Sequence, residues 1–404
     1  MFEDLRTSLF LAARATQRGG KGRVFMNIVI IALVLTNMIF LPSVISGAIE
    51  SFNRQNVDFI TSDIVIEPRE DDRYIKDLDE VLAAVNRVPG VVRASPRFET
   101  ASSIDFEENS ITLGITAFDP RDETEVSKIA DYMKDGNFLG SGDHDEIIIG
   151  ALVSGNKDKT QDFYPSLGGA KVGDTVTVSY SNGVSKDYRI KGIFNTKSWS
   201  ADYMAFVTWD EMNSVLGYEN NVADKVLVKT EDNAIEKVRK VKKNILEYGV
   251  GETVKTWEEA LPAAVTDSVE SFTIINQITV FGSLIIAVVL IFIMTTIRAF
   301  NNRKQIGILK AIGIKKSVIT NSYVMQVLFV CLFGSLLGFL IIEAMVIYFT
   351  NYPIEFPDGD VTPLVDMGML VENTILLFVS SAIAGFIPAW KITQENILDA
   401  MRGN

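Results

Sequence analysis

Four long apolar stretches constrain the fold of this 404-residue chain more than any other feature of its sequence. They lie at residues 24–48, 274–298, 323–349 and 369–390, and none carries a charge at its centre. A helix of about 20 apolar residues crosses the hydrocarbon core of a bilayer, so each stretch is long enough to span. The sequence therefore predicts four transmembrane helices, one before and three after a long polar block, rather than buried helices of a soluble core.

The polar block, residues 49–271, is strongly acidic. It holds 25 Lys and Arg against 41 Asp and Glu, a net charge of −16, although the whole chain is 48% hydrophobic and has a net charge of −13. The remainder is therefore slightly basic, at +3. No basic patch is large enough to indicate nucleic-acid binding. The single cysteine, Cys331, excludes an intrachain disulfide and a cysteine-based zinc site.

Lysine and arginine predict the orientation of the spans, because these residues are enriched in cytoplasmic segments. Five of them lie within residues 6–23 and five within 303–316, whereas 351–370 contains none. We therefore expect both termini and the segment after the second span in the cytoplasm, and the acidic block outside a cell membrane. Residues 1–23 are predicted to form an amphipathic helix on the inner leaflet, with Leu5, Leu9 and Ala12 on one side.

Two features inside the third span suggest specific roles. Gly334 and Gly338 form a G-x-x-x-G pair, which permits close contact between helices. Glu343 lies in the outer third of the span, and an intramembrane carboxylate is a functional hypothesis by default. Its simpler interpretation is a side chain that reaches the outer interface.

The acidic block reads as a mixed α/β domain with a βαβ pattern at each end. The two patterns are strand 63–67, helix 74–88 and strand 91–95, then strand 225–229, helix 234–248 and strand 253–256. Between them a β-rich insertion is predicted, in which alternating residues flank Asn182 and Gly183. An Asn-Gly pair between alternating runs is a strong hairpin signal.

No catalytic motif is present in the sequence. It has no G-x-x-x-x-G-K-[ST] phosphate loop, no G-x-S-x-G elbow and no H-E-x-x-H pair. His144 lies within Asp-His-Asp-Glu, but neighbouring residues of a loop rarely point at one ion, so no metal site is predicted there. If the protein performs work, the energy must come from a partner.

The segment 303–316, RKQIGILKAIGIKK, is predicted to be an amphipathic helix of about three turns at the membrane surface. It is too short and too charged to span. On a helical wheel its apolar arc contains Ile306, Ile308, Leu309 and Ile312. The opposite arc contains Arg303, Lys304, Lys310 and Lys315.

This segment resembles the signature R-K-E-I-G-I-L-K-A-[IL]-G of the FtsX-like, or MacB-like, permease family. The resemblance extends along nearly the whole chain. Further similar segments are SDIVI at 62–66, PGV at 89–91, SPR at 95–97, LG with KVGD at 167–174, and PAWK with ILDAMR at 388–402. One position departs from the signature, because Gln305 stands where the family commonly has Glu, and a charged contact made by that Glu would be neutral here.

The resemblance implies a permease subunit of an ABC transporter of the MacB and lipoprotein-releasing type. Two permease copies, as homodimer or heterodimer, would lie in membrane lipid on separate ATPase subunits, which bind the ATP and Mg²⁺. This chain itself is then not an enzyme and has no catalytic residue. The segment after the second span would be the coupling helix that contacts the ATPase. The residues carried over to it are Arg303, Lys304, Gln305, Ile306, Gly307, Leu309, Lys310, Ala311 and Gly313.

Three functions stay open at this point. The first is extraction or export of a substrate such as a lipoprotein, a lipid-like molecule or a peptide. The second is FtsX-like mechanotransmission, in which ATP-driven motion activates a cell-wall hydrolase or a sensor outside, through a periplasmic or extracellular partner protein. The third is a membrane-anchored adhesion or sensor domain without an ATPase, which would not need the segment 303–316. An outer domain of about 220 residues favours the first.

The predicted fold is thus a membrane protein with four transmembrane α-helices in 1+3 order and a large extracytoplasmic α/β domain. Its segments are a cytoplasmic N-terminal helix (1–23), the first span (24–48), the extracytoplasmic domain (49–271, porter-like at 49–101 and 208–271 with the β-rich insertion at 102–207), the second span (274–298), the coupling helix (301–316), the third span (323–349), an extracytoplasmic loop (351–368), the fourth span (369–390) and a cytoplasmic tail (391–404).

Overall fold

A computed structural model describes residues 6–12, 14, 21–157, 164–356 and 359–394. The chain divides into a helical unit and a sheet unit. The helical unit comprises Met1–Ile49, Asp267–Ile354 and Val361–Asn404, and the sheet unit comprises Glu50–Thr266 and Glu355–Asp360.

The helices alternate between long apolar ones and short ones. Residues 6–12 are helical. In chain order the others are α1 (Lys21–Gln55), α2 (Leu78–Val85), α3 (Pro120–Val126), α4 (Ala151–Ser154), α5 (Trp199–Asp202), α6 (Trp209–Leu216), α7 (Ile235–Glu247), α8 (Ala263–Asn301), α9 (Arg303–Ala311), α10 (Lys316–Asn351) and α11 (Met367–Gln394). A π-helical turn (Asn56–Thr61) continues α1, and a 3₁₀ turn covers Ile129–Tyr132.

Strands occur mainly in the sheet unit. In chain order they are β1 (Ile64–Glu67), β2 (Val91–Phe106), β3 (Asn109–Phe118), β4 (Met133–Gly136), β5 (Glu146–Gly150), β6 (Thr175–Tyr180), β7 (Ser185–Phe194), β8 (Ala205–Thr208), β9 (Lys225–Thr230), β10 (Thr253–Thr256), β11 (Ile354–Phe356) and β12 (Gly359–Val361). The last two form a small ladder within the segment predicted as a loop at 351–368.

The four helices α1, α8, α10 and α11 are long and apolar enough to cross a membrane, and within the described part of the chain no other helix meets that criterion. One of them precedes the sheet unit and three follow most of it, which confirms the predicted fold class. α1 runs seven residues beyond the predicted end of the first span, to Gln55. All four helices contribute to one buried cluster, which includes Leu35, Ile291, Cys331 and Leu377.

The predicted helix 1–23 is only partly within the described residues. In the helical stretch 6–12, Ser8 and Ala12 are buried whereas Leu9 and Phe10 are exposed. The predicted apolar side of this helix thus has one buried residue, Ala12, and one exposed residue, Leu9. Ser8 Oγ donates to the backbone oxygen of Val318 at 3.1 Å, so Ser8 packs on the start of α10. Leu5 and the tail at 395–404 lie outside the described residues.

The two predicted βαβ patterns interleave in the sheet. The strand order begins β10-β1-β9-β2, and each of these neighbouring pairs is antiparallel. β1 and β2 therefore run parallel with β9 between them, and β9 and β10 run parallel with β1 between them. This is the split βαβ arrangement of ferredoxin-like folds. Residues from all four strands and from α2 and α7 form one core, which includes Ile64, Val85, Ala94, Val228 and Ile245.

The predicted helix 74–88 is shorter in the structure, where α2 covers Leu78–Val85. Ile75 instead forms an isolated antiparallel bridge with Ala223. Asp77 then adopts a left-handed conformation, with φ at 51°, before the helix begins. Ile75 is buried by the bridge and the later apolar residues by the helix. The spacing of apolar residues alone could not distinguish these two causes, so the predicted helix is too long.

The β-rich insertion continues the same sheet through β3, β8, β5, β7 and β4. β2 is 16 residues long and belongs to both portions, so the boundary predicted between 101 and 102 falls inside it. β6 pairs with both β2 and β7. The predicted hairpin is confirmed: the Tyr180 nitrogen donates to the Val184 oxygen at 2.8 Å, and Gly183 supplies the positive φ of 85° at the turn.

Candidate functional site

The segment 303–316 is a short helix followed by a sharp turn, not one continuous helix. α9 ends at Ala311, because Gly313 adopts φ of 90°. The Gly313 nitrogen donates to the Lys310 oxygen at 3.1 Å, and the Ile314 nitrogen donates to the Leu309 oxygen at 3.0 Å. These two bonds form a Schellman motif, which satisfies the last carbonyls of a helix. The predicted helix 301–316 is therefore too long, and Gly313 directs the chain from α9 into α10.

One side of α9 is packed against three of the long helices. Ile306 is 3% exposed and belongs to a cluster that we call the anchor cluster. Leu309 and Ile314 pack on its edge, and Gly307 is also buried. The other members are Ala299 of α8, Ile319 and Tyr323 of α10, and Ala389 and Ile392 of α11. α9 therefore contacts three of the long helices through a single set of side chains.

Hydrogen bonds between polar side chains reinforce this end of the helical unit. The Thr320 and Thr393 hydroxyl groups lie 3.1 Å apart, which joins α10 to α11. Lys316 Nζ donates to Gln394 Oε1 at 3.1 Å across the same two helices. Near the end of α8, Arg298 Nη1 donates to Gln326 Oε1 of α10 at 3.3 Å. The helices that pack against α9 are thus joined to one another by polar as well as apolar contacts.

The other side of α9 exposes two large apolar side chains. Ile308 is 54% exposed and Ile312, just after the helix, is 69% exposed. The predicted apolar arc is therefore divided in the structure, with Ile306 and Leu309 packed against the long helices and Ile308 and Ile312 exposed. Neither isoleucine is among the predicted site residues. Their spacing could have indicated a shared surface, because Lys304, Ile308 and Ile312 are each four residues apart and residues four apart are neighbours on a helix.

Polar residues surround these two isoleucines. Lys304, Gln305, Ala311, Gly313 and Lys315 are exposed, whereas Arg303 and Lys310 are half-buried. The Arg303 guanidinium lies 3.7 Å from the centroid of the Phe300 ring, a cation–π contact that orients it beside α8. The predicted residues are thus divided between two sides. We call the exposed set, Lys304, Gln305, Ile308, Ala311 and Ile312, the outer face of α9.

Gly334 and Gly338 both lie against α1. A Cβ atom added at Gly334 would lie 2.6 Å from Ile31 Cγ2, and one at Gly338 would lie 3.1 Å from the Ala32 oxygen. The first distance is shorter than real Cβ atoms show, and the second is tighter than most packing contacts and is to backbone, which yields less readily than a side chain. The pair therefore sets how closely α1 and α10 approach.

Two further candidates do not join α9. Glu343 is exposed on α10, on the side that also exposes Leu336, Leu340 and Ile347. His144 lies on the sheet unit, with Nδ1 3.5 Å from Glu211 Oε2. Among the residues that the structure describes, no group of three or more His, Cys, Asp and Glu side chains could hold a metal ion.

Comparisons with known proteins agree with the sequence signature. Residues 278–397 match the family model described as FtsX-like permease C-terminal. Over 260 residues the chain is 29% identical to the putative hemin transport system permease protein HrtB of Staphylococcus haemolyticus (strain JCSC1435), an alignment that covers 61% of this chain and 67% of the relative.

Solved structures show a loose likeness to the extracellular domains of two transporters. One is the extracellular domain of the noncanonical ABC-type transporter YknZ from Gram-positive bacteria, with a TM-score of 0.35 and 13% identity over 48% of this chain and 97% of that one. The other is the periplasmic region of MacB from Actinobacillus actinomycetemcomitans, with a TM-score of 0.36 and 11% identity over 54% of this chain and 97% of that one.

Proposed function

We propose, because this chain belongs to the FtsX-like family of ABC permeases, that it is the membrane subunit of a MacB-type transporter driven by a separate ATPase. Permeases of this family are multi-pass membrane proteins and are not enzymes themselves. The family implies an ATPase partner and often a dimer. The ATP and Mg²⁺ would be bound by that partner, and this chain would convert its motion into work.

The outer face of α9 is the surface proposed to bind the ATPase. The observation that carries this assignment is the division of α9 into two sides. One side is buried in the anchor cluster with three spans, whereas Ile308 and Ile312 are exposed on the other. Exposed apolar side chains among polar neighbours are typical of a protein interface. Gln305 would present a neutral amide there.

The orientation follows from the charges. The excess of Lys and Arg before α1 and around α9, and their absence from 351–370, support a cytoplasmic location for both termini and for α9. The sheet unit would then lie outside the membrane. This arrangement supports a mechanism in which ATP binding moves the spans and the sheet unit acts on a substrate beyond the membrane.

The proposed work is extraction or export of an amphipathic substrate. A lipoprotein, a lipid-like molecule or a peptide would fit a domain attached at the membrane surface. The relative from Staphylococcus haemolyticus is named for hemin transport, which makes hemin the first compound to test. Hemin is a planar amphiphile that partitions into membranes, so its removal from a bilayer is the same kind of task.

The decisive experiment is purification of the chain with its native ATPase. We expect the two proteins to elute together in detergent, and ATP hydrolysis to rise in the presence of the permease. Leu309→Asp and Gly307→Pro, both on the packed side of α9, should abolish that stimulation and leave membrane insertion intact. A fully stimulated ATPase in complex with either variant would refute the coupling role of α9, and failure to find any ATPase partner would refute the proposed function. Loading the complex into vesicles with hemin then tests the substrate.

A further inference from the structure

The end of α1 is buried inside the sheet unit. Beyond Gln55 the helix continues as the π-helical turn Asn56–Thr61 and stops at Ser62, whose φ is 55°. Phe59 in this turn is buried, and its ring contacts Tyr132 edge-on at 5.2 Å between centroids. The same apolar cluster contains Phe118, Ile129, Leu139, Ile148, Phe194, Ala201 and Phe206.

The last carbonyls of this helix are bound by the sheet unit. Such carbonyls have no partner within a helix and carry its negative dipole end. The Asp58 oxygen accepts from the Lys128 nitrogen at 2.9 Å, and the Asp58 carboxylate lies 2.9 Å from Lys128 Nζ. The Phe59 oxygen accepts from both terminal nitrogens of Arg97, each at 3.1 Å.

Arg97 is a fully buried charge that is both paired and hydrogen-bonded. It lies on β2, is 1% exposed, and forms an ion pair with Glu123 of α3, which is equally buried. Ser95 Oγ also donates to Glu123 Oε2 at 3.0 Å. The guanidinium lies 5.8 Å from the centroid of the Phe206 ring. Arg97 thus connects the end of the first span with a strand, a helix and the aromatic cluster.

The stability of the fold does not by itself explain this arrangement, because a buried ion pair can often be replaced by apolar residues without loss of folding free energy. What apolar residues cannot reproduce is the forked donation to the Phe59 carbonyl. We propose that Arg97 is a positioning residue that fixes the end of the first span in the sheet unit, so that movement of the span moves the unit. This inference rests on the proposed function, which supplies the movement.

The test uses a variant that removes both hydrogen bonds from Arg97 to the Phe59 oxygen and also removes the opposite charge of Glu123. Arg97→Ala alone would leave the buried Glu123 carboxylate without its counter-charge, so the double variant Arg97→Met/Glu123→Leu is preferred. A matched control is Lys186→Met/Glu211→Leu, which removes another ion pair with a buried carboxylate, this one between β7 and α6. Tyr218, which is exposed, is changed to Cys for spin labelling in a Cys331→Ser background.

The measurement is the distance between labels on the two permease copies of the complex with its ATPase. ATP with vanadate traps the ATPase, and in the otherwise unchanged protein we expect the label distance to shift. Arg97→Met/Glu123→Leu should hydrolyse ATP and trap vanadate but lose the shift, at an unchanged unfolding temperature of the sheet unit. The control double variant should keep the shift.

The outcomes separate the two proposals. A shift that persists in Arg97→Met/Glu123→Leu would overturn the role of Arg97 and leave the proposed function intact. Loss of the shift in both double variants would show a merely structural role and would also overturn it. Absence of vanadate trapping or of any shift in the unchanged complex would instead overturn the proposed function itself.

Discussion

Replacing Ile308 and Ile312 together by alanine should weaken binding of the ATPase by on the order of 30- to 100-fold, if the outer face of α9 is its docking surface. Both side chains are largely exposed, at 54% and 69%, so their removal should cost the isolated permease little. The effect should therefore appear in the complex and not in the folding of the subunit.

The magnitude follows from the exposed area. Alanine removes three carbons from each isoleucine, and burying a carbon of this kind contributes about 0.8 kcal/mol. Scaling by the exposed fraction of each side chain gives an upper limit of about 3 kcal/mol for the pair, if docking covers both fully. Only part of this free energy of burial appears as measured affinity, because association has costs of its own. Each 1.4 kcal/mol corresponds to a tenfold change in the dissociation constant.

The assay is a titration of the detergent-solubilised permease with purified, fluorescently labelled ATPase subunit. A matched control is Ile347→Ala/Val371→Ala, because those side chains are each 55% exposed on α10 and α11 but lie away from α9 in sequence. The control should bind as tightly as the unchanged protein. An unchanged dissociation constant for Ile308→Ala/Ile312→Ala, with a folded subunit, would refute the assignment of this face.

Three other perturbations test separate parts of the structure. Gly313→Ala forces a left-handed conformation on a residue with a Cβ, at about 1 kcal/mol, so hydrogen exchange at the end of α9 should accelerate about fivefold; an unchanged rate would contradict the Schellman turn. Gly334→Ala should destabilise the detergent-solubilised protein by about 1–3 kcal/mol, whereas Gly282→Ala, which meets nothing within 4 Å, should not. Burial, and then Arg97 opposite it on β2, lower the pKa of Lys225 from 10.5 to about 8. The unfolded chain therefore binds more protons at this residue between these values, so Lys225 should add a rise in the stability of the sheet unit to urea from about pH 8 toward pH 10, and Lys225→Met should lack that contribution.

The membrane architecture could be predicted because its signals are local and strong. Each span has its own run of apolar residues, which predicts its presence without knowledge of its neighbours, although α1 and α8 both extend beyond the predicted bounds. The two βαβ patterns could also be predicted from local sequence, because the segment Ile235–Glu247 keeps one apolar face over three helical turns. The hairpin at Gly183 required a positive φ that only a few residues adopt readily.

What could not be predicted depends on contacts between distant residues. The packed side of α9 depends on contacts with Ala299, Ile319 and Ile392 of three other helices, and these contacts leave part of its apolar arc exposed. α2 begins late because Ile75 pairs with Ala223, nearly 150 residues away. Arg97 was visible only as part of a sequence match, since nothing local indicates that its partner is a backbone carbonyl at the end of the first span.

The adjacency of β1 and β10 joins the two chain connections of the sheet unit to each other. These strands lead from α1 and toward α8, and four consecutive residue pairs join them, from Ile64 with Thr256 to Glu67 with Thr253. A relative slide of one residue, about 3.3 Å, would break this ladder and turn every side chain to the opposite face. If the spans move the sheet unit, as proposed, we therefore expect its two chain connections to move together rather than slide past each other.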